Sequence, residues 1–392
     1  MPHTGMTVIP ETVFDCSFLD GGVESTLFEL PDQGQIAYNG MVLRGPFDRD
    51  LSFLDRVPEA EKHAVYAYLN NQDVSQQPVP RARRVIIDVF DALHQAGLSD
   101  AEAHIQESWL KAHVPFLYAE LYGTVRKVRT ALPRSVSNIP HKERWWLFGC
   151  VRRGLRCAWA GLTTVVVIGV VGKVFRPGVV SIRDPQLNRA IRPTHRLCIV
   201  PTDSRAVVGL LNTVLFEVTP RRFCSSLGTG LNFSPTDVFP YFPFPWKDQP
   251  TGNGYVAPVL NPPPDVEERL GPPASVLLKL REEILTQPMK HGLGTAAFSG
   301  PTALYNAFDD PCDERPAIQA LREAHMALEA AVLAEYGWGD LAEKPWVFDR
   351  PWIDGSWRFV PNAETRREYL RRLEWLNHEQ AARAPISTPA VI

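Results

Sequence analysis

The stretch FSPTDVFPYFPFPW, residues 233–246, packs six aromatic residues and four prolines into fourteen positions. So much proline excludes a regular helix and a central strand. Phe, Tyr and Trp are nevertheless the side chains with most to gain from burial. The combination predicts an irregular segment anchored on a hydrophobic surface where two parts of the protein meet. Phe239, Tyr241, Phe242, Phe244 and Trp246 are the candidate residues of that partner or domain interface, expected to be exposed when the chain stands alone.

Upstream, the patterns alternate between strand and helix. QIAYNGMVLRG (35–45) reads as strand, Asn-Gly turn and strand. EAEKHAVYAYLN (59–70) reads as a short helix, and Val85–Val89 as a strand. A helix is predicted over 99–129, with Ser99 as cap and Pro115 as the point that bends or divides it. The β-branched runs TTVVVIGVV (163–171), GVVSI (178–182) and HRLCIVP (195–201) argue for sheet. Residues 204–228 read as helix in their first half. Downstream, 247–270 reads as a proline-rich linker. Helices then follow at 273–287, at 316–338 with Gly337 as terminator, and at 364–383. The expected fold is α+β: a lead-in at 1–30 with a short strand at 12–16, a mixed α/β domain at 31–246, the linker, and a mainly helical region at 271–392.

The 392 residues carry a net charge of -3, unevenly spread. Residues 121–235 hold 18 Lys or Arg against 4 Asp or Glu, a balance of +14 that leaves the other 277 residues near -17. A positive middle in an acidic chain favours an anionic partner such as a nucleic acid over general stickiness, the alternative being a solvated basic face. The candidate residues for binding double-stranded DNA are Arg126, Lys127 and Arg129; Arg152, Arg153 and Arg156; Lys173 and Arg176; Arg192 and Arg196; and Arg221 and Arg222. Trp145 and Trp146 could stack on bases, but core packing is the simpler reading.

Constellations for catalysis are missing. No Gly-rich turn has dinucleotide or P-loop spacing, and the ten histidines form no metal set. GTGLNF (228–233) could touch an anion but reads equally as a tight turn. Asn261-Pro262-Pro263-Pro264 has proline where a methyl-transferring Asn-Pro-Pro-Tyr loop needs its stacking aromatic. Asp88 and Asp91 lack the Glu-x-Lys partner of a metal-dependent nuclease. The six cysteines are scattered, as for free buried thiols in a reducing cytoplasm. No signal peptide is visible, and VVVIGVV (165–171) is far too short to span a membrane.

Eight pieces in order carry a resemblance: AYNGMVLRGPF (37–47), YLNNQDVSQQP (68–78), RRVIIDVFD (83–91), ERWWLFG (143–149), the 233–246 stretch, TALYNAF (302–308), LREAHMALEAAVLAEYGW (321–338) and LRRLEWLNHE (370–379). Together they resemble the C-terminal target-recognition and helical region of large bacterial adenine-specific DNA methyltransferases of restriction-modification or phage-defence type. The family's Arg-Val-Ser-Lys stretch is replaced by VIGVVGKVF, which keeps only Lys173. The resemblance implies no catalytic domain in this chain, which would start after that domain ends. It implies DNA recognition for a separate catalytic subunit that binds S-adenosylmethionine and methylates N6 of a flipped adenine. The alternative is a degenerate fragment serving as a structural or interaction component of a phage-defence complex.

Overall fold

Val65–Leu69, VYAYL, alternates buried and half-buried side chains and is a strand, not the end of a helix. Only Glu59–Ala64 before it is helical, as a 3-10 turn. The strand pairs antiparallel with Arg84–Ile87 and parallel with Arg189–Pro193, which no local propensity reveals. In the computed structural model the residues described are 7–8, 36–133, 135, 138–239, 242–247, 259–293 and 298–383, with side chains to Gln380. The strand expected at 12–16 and Tyr241 lie outside them. The fold is α+β, with 49% of the described residues helical and 17% in strands.

The chain divides into two units. One comprises residues 39–163 and 180–197 and holds 21 Lys or Arg against 14 Asp or Glu, a balance of +7. The remaining 20 and 30 leave the other unit (1–38, 164–179 and 198–392) at -10. We call them the basic and the acidic unit. Residues 198–246 therefore cluster with the C-terminal helices, whereas the sequence places the boundary after 246.

The basic unit is built on a five-stranded sheet ordered Asp48–Arg49, Arg84–Ile87, Val65–Leu69, Arg189–Pro193, Arg183–Asp184. Its long helical stretch starts at Ala103, and Pro115 divides it as expected, opening the next helix at its first position. A π-turn at Tyr122–Arg126 and a helix at Lys127–Thr130 complete it. The 35–45 hairpin does not form. Met41 instead bridges Thr194 in parallel, and Val42 bridges Cys150. Only glycine fits at position 40, where a Cβ would lie 2.3 Å from the Thr194 carbonyl oxygen.

The acidic unit has a sheet of Thr7–Val8, Ser225–Leu227, Gly230–Asn232 and Val171–Gly172, and a second one containing Thr164–Gly169. GTG proves to be the turn of a hairpin, with Gly228 at φ 61°. Two helices, Arg205–Leu211 and Val214–Phe223, extend the helical reading through Pro220. After a single turn of helix at Pro235–Val238, the next long helix, Pro264–Thr286, begins inside the expected linker. Asn261-Pro262-Pro263-Pro264 leads into its first turn, where proline's missing N–H is no loss. Pro316–Glu335 ends before Gly337 at φ 72°, and Ala363–Arg383 follows as expected. A hairpin of Trp346–Asp349 and Arg358–Pro361 escaped the sequence reading.

The aromatic-proline stretch is the centre of this unit. Phe239, Phe242, Phe244 and Trp246 have no exposed surface, which corrects the expectation of a partner-facing patch. Their rings form a chain with Phe216, Phe216–Phe242 at 4.8 Å, Phe242–Phe244 at 5.1 Å and Phe244–Trp246 at 5.5 Å. Burying an irregular backbone requires that its polar groups be satisfied, and proline has no N–H to satisfy. The carbonyls are met by side chains: Tyr336 Oη donates to Pro243 O at 2.7 Å and Gln380 Nε2 to Phe244 O at 3.1 Å. Trp246 Nε1 donates to Val259 O at 2.9 Å. Each buried aromatic contributes about 1.5–3 kcal/mol of hydrophobic stabilisation.

Candidate nucleic-acid interface

Five of the twelve expected DNA-binding residues face inward. Asp88 accepts from Arg156 Nη2 and Arg192 Nε, both at 2.6 Å, while Asp91 pairs with the same two arginines. Tyr66 donates to Asp91 at 3.1 Å, and its ring lies 3.6 Å from the Arg192 guanidinium. Burial alone would raise the Asp88 carboxyl; Arg156 and Arg192 outweigh it and hold it below the usual range. This closed network occupies both carboxylates that a nuclease would need. In the acidic unit, Arg176 and Arg221 share Glu217 at 2.7 and 2.9 Å. Arg129, fully buried, donates to the carbonyls of Arg44 at 3.0 Å and Leu43 at 2.8 Å. Arg129, Arg156, Arg176, Arg192 and Arg221 are thus corrected to structural residues. Their chain positions put them in the basic run, but their side chains tie elements together.

The other seven remain at or near the surface. Lys173 is exposed, and its carbonyl is held by Arg221 Nη2 at 2.8 Å and Arg358 Nη2 at 3.1 Å. Arg222 is half-buried over the Phe223 ring. These two belong to the acidic unit. In the basic unit, Arg126 lies over Tyr122, Lys127 is exposed, and Arg153 pairs with Asp100 at 2.8 Å. Arg152 and Arg196 complete the set. Trp145 and Trp146 are buried against each other and cannot stack on bases.

What joins the surface cations is the segment 40–44. At one end Gly40 O accepts from Arg152 Nε at 3.3 Å, and Met41 O accepts from the His195 N–H at 3.1 Å. Along it, Val42 and Leu43 carbonyls accept from Cys150 and Gly149 N–H groups. At the other end stands the exposed Arg44, above Arg129 and near His141. Arg44 and the two histidines were not among the expected residues. Arg44 sits outside the 121–235 run, and only the fold brings it there. Burial, then Arg129 and Arg44, lowers the pKa of His141; burial, then Arg196 and Arg152, lowers that of His195. The result is a band of cations gathered along this one segment.

Such a band can hold polyanions. Among the described residues, no group of three or more His, Cys, Asp or Glu is placed to hold a metal ion. Among the same residues, no helix is long and apolar enough to cross a membrane. Cys198 and Cys224 are buried, as expected for free thiols, whereas Cys157 and Cys312 are exposed.

No protein-family model matches the chain, and no curated protein does. Among solved structures, the chain is similar in fold to the Type IIL restriction-modification enzyme MmeI, determined in complex with DNA, with a TM-score of 0.56 and 15% sequence identity. The similarity covers 90% of this chain but only 36% of that one, so the chain has a fold related to about a third of a restriction-modification enzyme.

Proposed function

We propose that this protein is the DNA-recognition part of a split N6-adenine DNA methyltransferase. It holds target DNA through the basic unit and presents it to a separate catalytic subunit, which binds S-adenosylmethionine. The observation that carries the DNA-binding step is the band of Arg44, Arg152 and Arg196, with His141 and His195 beside it. The likeness to a restriction-modification enzyme complexed with DNA supports the setting, and the ordered sequence resemblance supports the adenine chemistry of the partner. Phosphate contacts would supply affinity, and side chains at the groove would supply selectivity.

The test is DNA binding by fluorescence anisotropy across a salt series. Affinity should fall linearly on a log-log plot, by about 0.9 for each phosphate contact. Binding that ignores salt would sink the reading. Co-purification with a neighbouring methyltransferase subunit, followed by a methylation assay, tests the split-enzyme part. A second reading, a structural component of a defence complex that does not bind DNA, draws support from the five inward-facing arginines. Absence of binding at low salt selects it.

A further inference from the structure

Among the described residues, three other than glycine hold a positive φ: Arg44 at 49°, Arg152 at 52° and Asn188 at 50°. Asn188 is unremarkable there, since asparagine tolerates the left-handed region and this one sits in the turn between Arg183–Asp184 and Arg189–Pro193. Arginine has no such tolerance, because its Cβ crowds the following carbonyl. Both strained arginines fall at the ends of one five-residue segment, 40–44, on the cationic band.

The surroundings hold each in place. The Arg44 and Leu43 carbonyls accept from buried Arg129, and Gly149 N–H donates to Leu43 O at 3.2 Å. The Arg44 side chain lies over Gly149, where a Cβ would meet its Cγ at 2.7 Å. Arg152 caps the helix Arg153–Ala158, whose Arg156 is locked onto Asp88 and Asp91. Glycine would take up either backbone without strain. The guanidinium is therefore what these positions gain from arginine. Only the Arg152 Nε is committed, to Gly40 O, and no carboxylate pairs with either guanidinium among the described residues.

We propose that Arg44 and Arg152 form a pre-set clamp for two backbone phosphates of a DNA duplex, the left-handed backbone fixing the direction in which each guanidinium leaves the surface. This rests on the DNA-binding reading and gives it a site. A guanidinium meets a phosphate through two parallel N–H bonds, and a fixed exit direction reduces the ordering needed on binding.

The experiment uses the full chain and a fluorescent duplex across a salt series, with Arg44→Ala, Arg44→Gly, Arg44→Lys and the same three changes at Arg152. Each Ala and Gly variant should lower the slope of log affinity against log salt by about 0.9, equally for every duplex sequence. The Lys variants should keep the slope. Thermal melting adds a readout independent of DNA: each Gly variant should melt above its Ala counterpart, because glycine relieves the strain and alanine does not. Wild-type slopes in the Ala and Gly variants would overturn the clamp and leave the DNA-binding reading standing. Gly variants melting at or below the Ala variants would overturn the pre-set backbone. A wild-type protein that binds no duplex at low salt would overturn both.

Discussion

Glu217 sits between two buried guanidiniums with only 2% of its side chain exposed, and it shows what the inward arginines do. Burial alone would push its carboxyl up; Arg176 and Arg221 outweigh that and hold it below the usual range. A folded pKa below the unfolded one means stability that is present above the unfolded value of about 4.5 and lost as pH falls through the folded one. Glu217→Gln removes the charge that both arginines face. We expect a loss of about 3–5 kcal/mol in urea denaturation at neutral pH, and less acid sensitivity in what stability remains. Asp265→Asn, at an exposed pair with Arg269, is the control and should lose under about 1 kcal/mol. The same residues explain the limits of the sequence at this scale. Asp88 lies 68 residues from Arg156 and 104 from Arg192, so a charge count along the chain records the arginines but not what neutralises them. Arg44 was missed for the converse reason: it is one cation in a segment that reads as an ordinary strand, made part of a band by partners more than 80 residues away.

At the scale of elements, Pro316–Glu335 and Ala363–Arg383 were legible because their apolar residues recur at helical spacing and because Pro316 and Gly337 mark the ends of the first. Pro264–Thr286 was read as starting only at Pro273, because Pro272 and Pro273 look like a helix start but lie inside it. Val65–Leu69 was not legible, since its neighbours at Glu59–Ala64 supply a helical pattern and its strand character comes from pairing with Arg189–Pro193. The aromatic stretch was legible as an anchor but not as a core, because no local signal says which surface will cover it. One helix is held from a distance in a way that titrates. Val214–Phe223 is capped locally by Thr213, whose side chain accepts from Phe216 N–H. Its remaining N-terminal donors, Val214 and Leu215, bond to the two carboxyl oxygens of Glu329 at 2.7 and 2.8 Å. Burial raises the Glu329 carboxyl to about 7, against the pull of those N–H groups. The folded state therefore holds its proton more tightly than the unfolded chain, and stability falls as pH rises from about 4.5 through about 7. Glu329→Gln should remove this component of the slope, which is worth at most about 3 kcal/mol. It should also lower stability at pH 5 by about 1–3 kcal/mol, because one of the two N–H groups then faces an amide donor. An unchanged slope in stability measured from pH 5 to pH 8 would count against the cap.

At the scale of the whole molecule, the separation of charge is sharper in its consequences than the net of -3. The unit holding residues 39–163 and 180–197 stands at +7 and the other at -10. Part of the +14 run is spent on buried pairs, and Lys173, Arg176, Arg221 and Arg222 lie in the acidic unit, so the run itself overstates any one surface. What remains of it, led by Lys127, Arg152 and Arg196, is concentrated in the basic unit, where Arg44 adds to it. Counterion release depends on the cations that meet phosphates, not on total charge. Reversing Lys127 and Arg196 together to Glu, on the full chain, should therefore weaken DNA binding and cut the salt slope by up to about 1.8, or about 0.9 per lost contact. The same change of net charge made at Lys279 and Lys344, both exposed in the acidic unit, should leave the slope within error of wild type. Both double variants change exposed residues, so neither should unfold the protein, and melting curves check that. Equal losses from the two pairs would mean that DNA responds to the overall field, and the basic unit would lose its standing as the site.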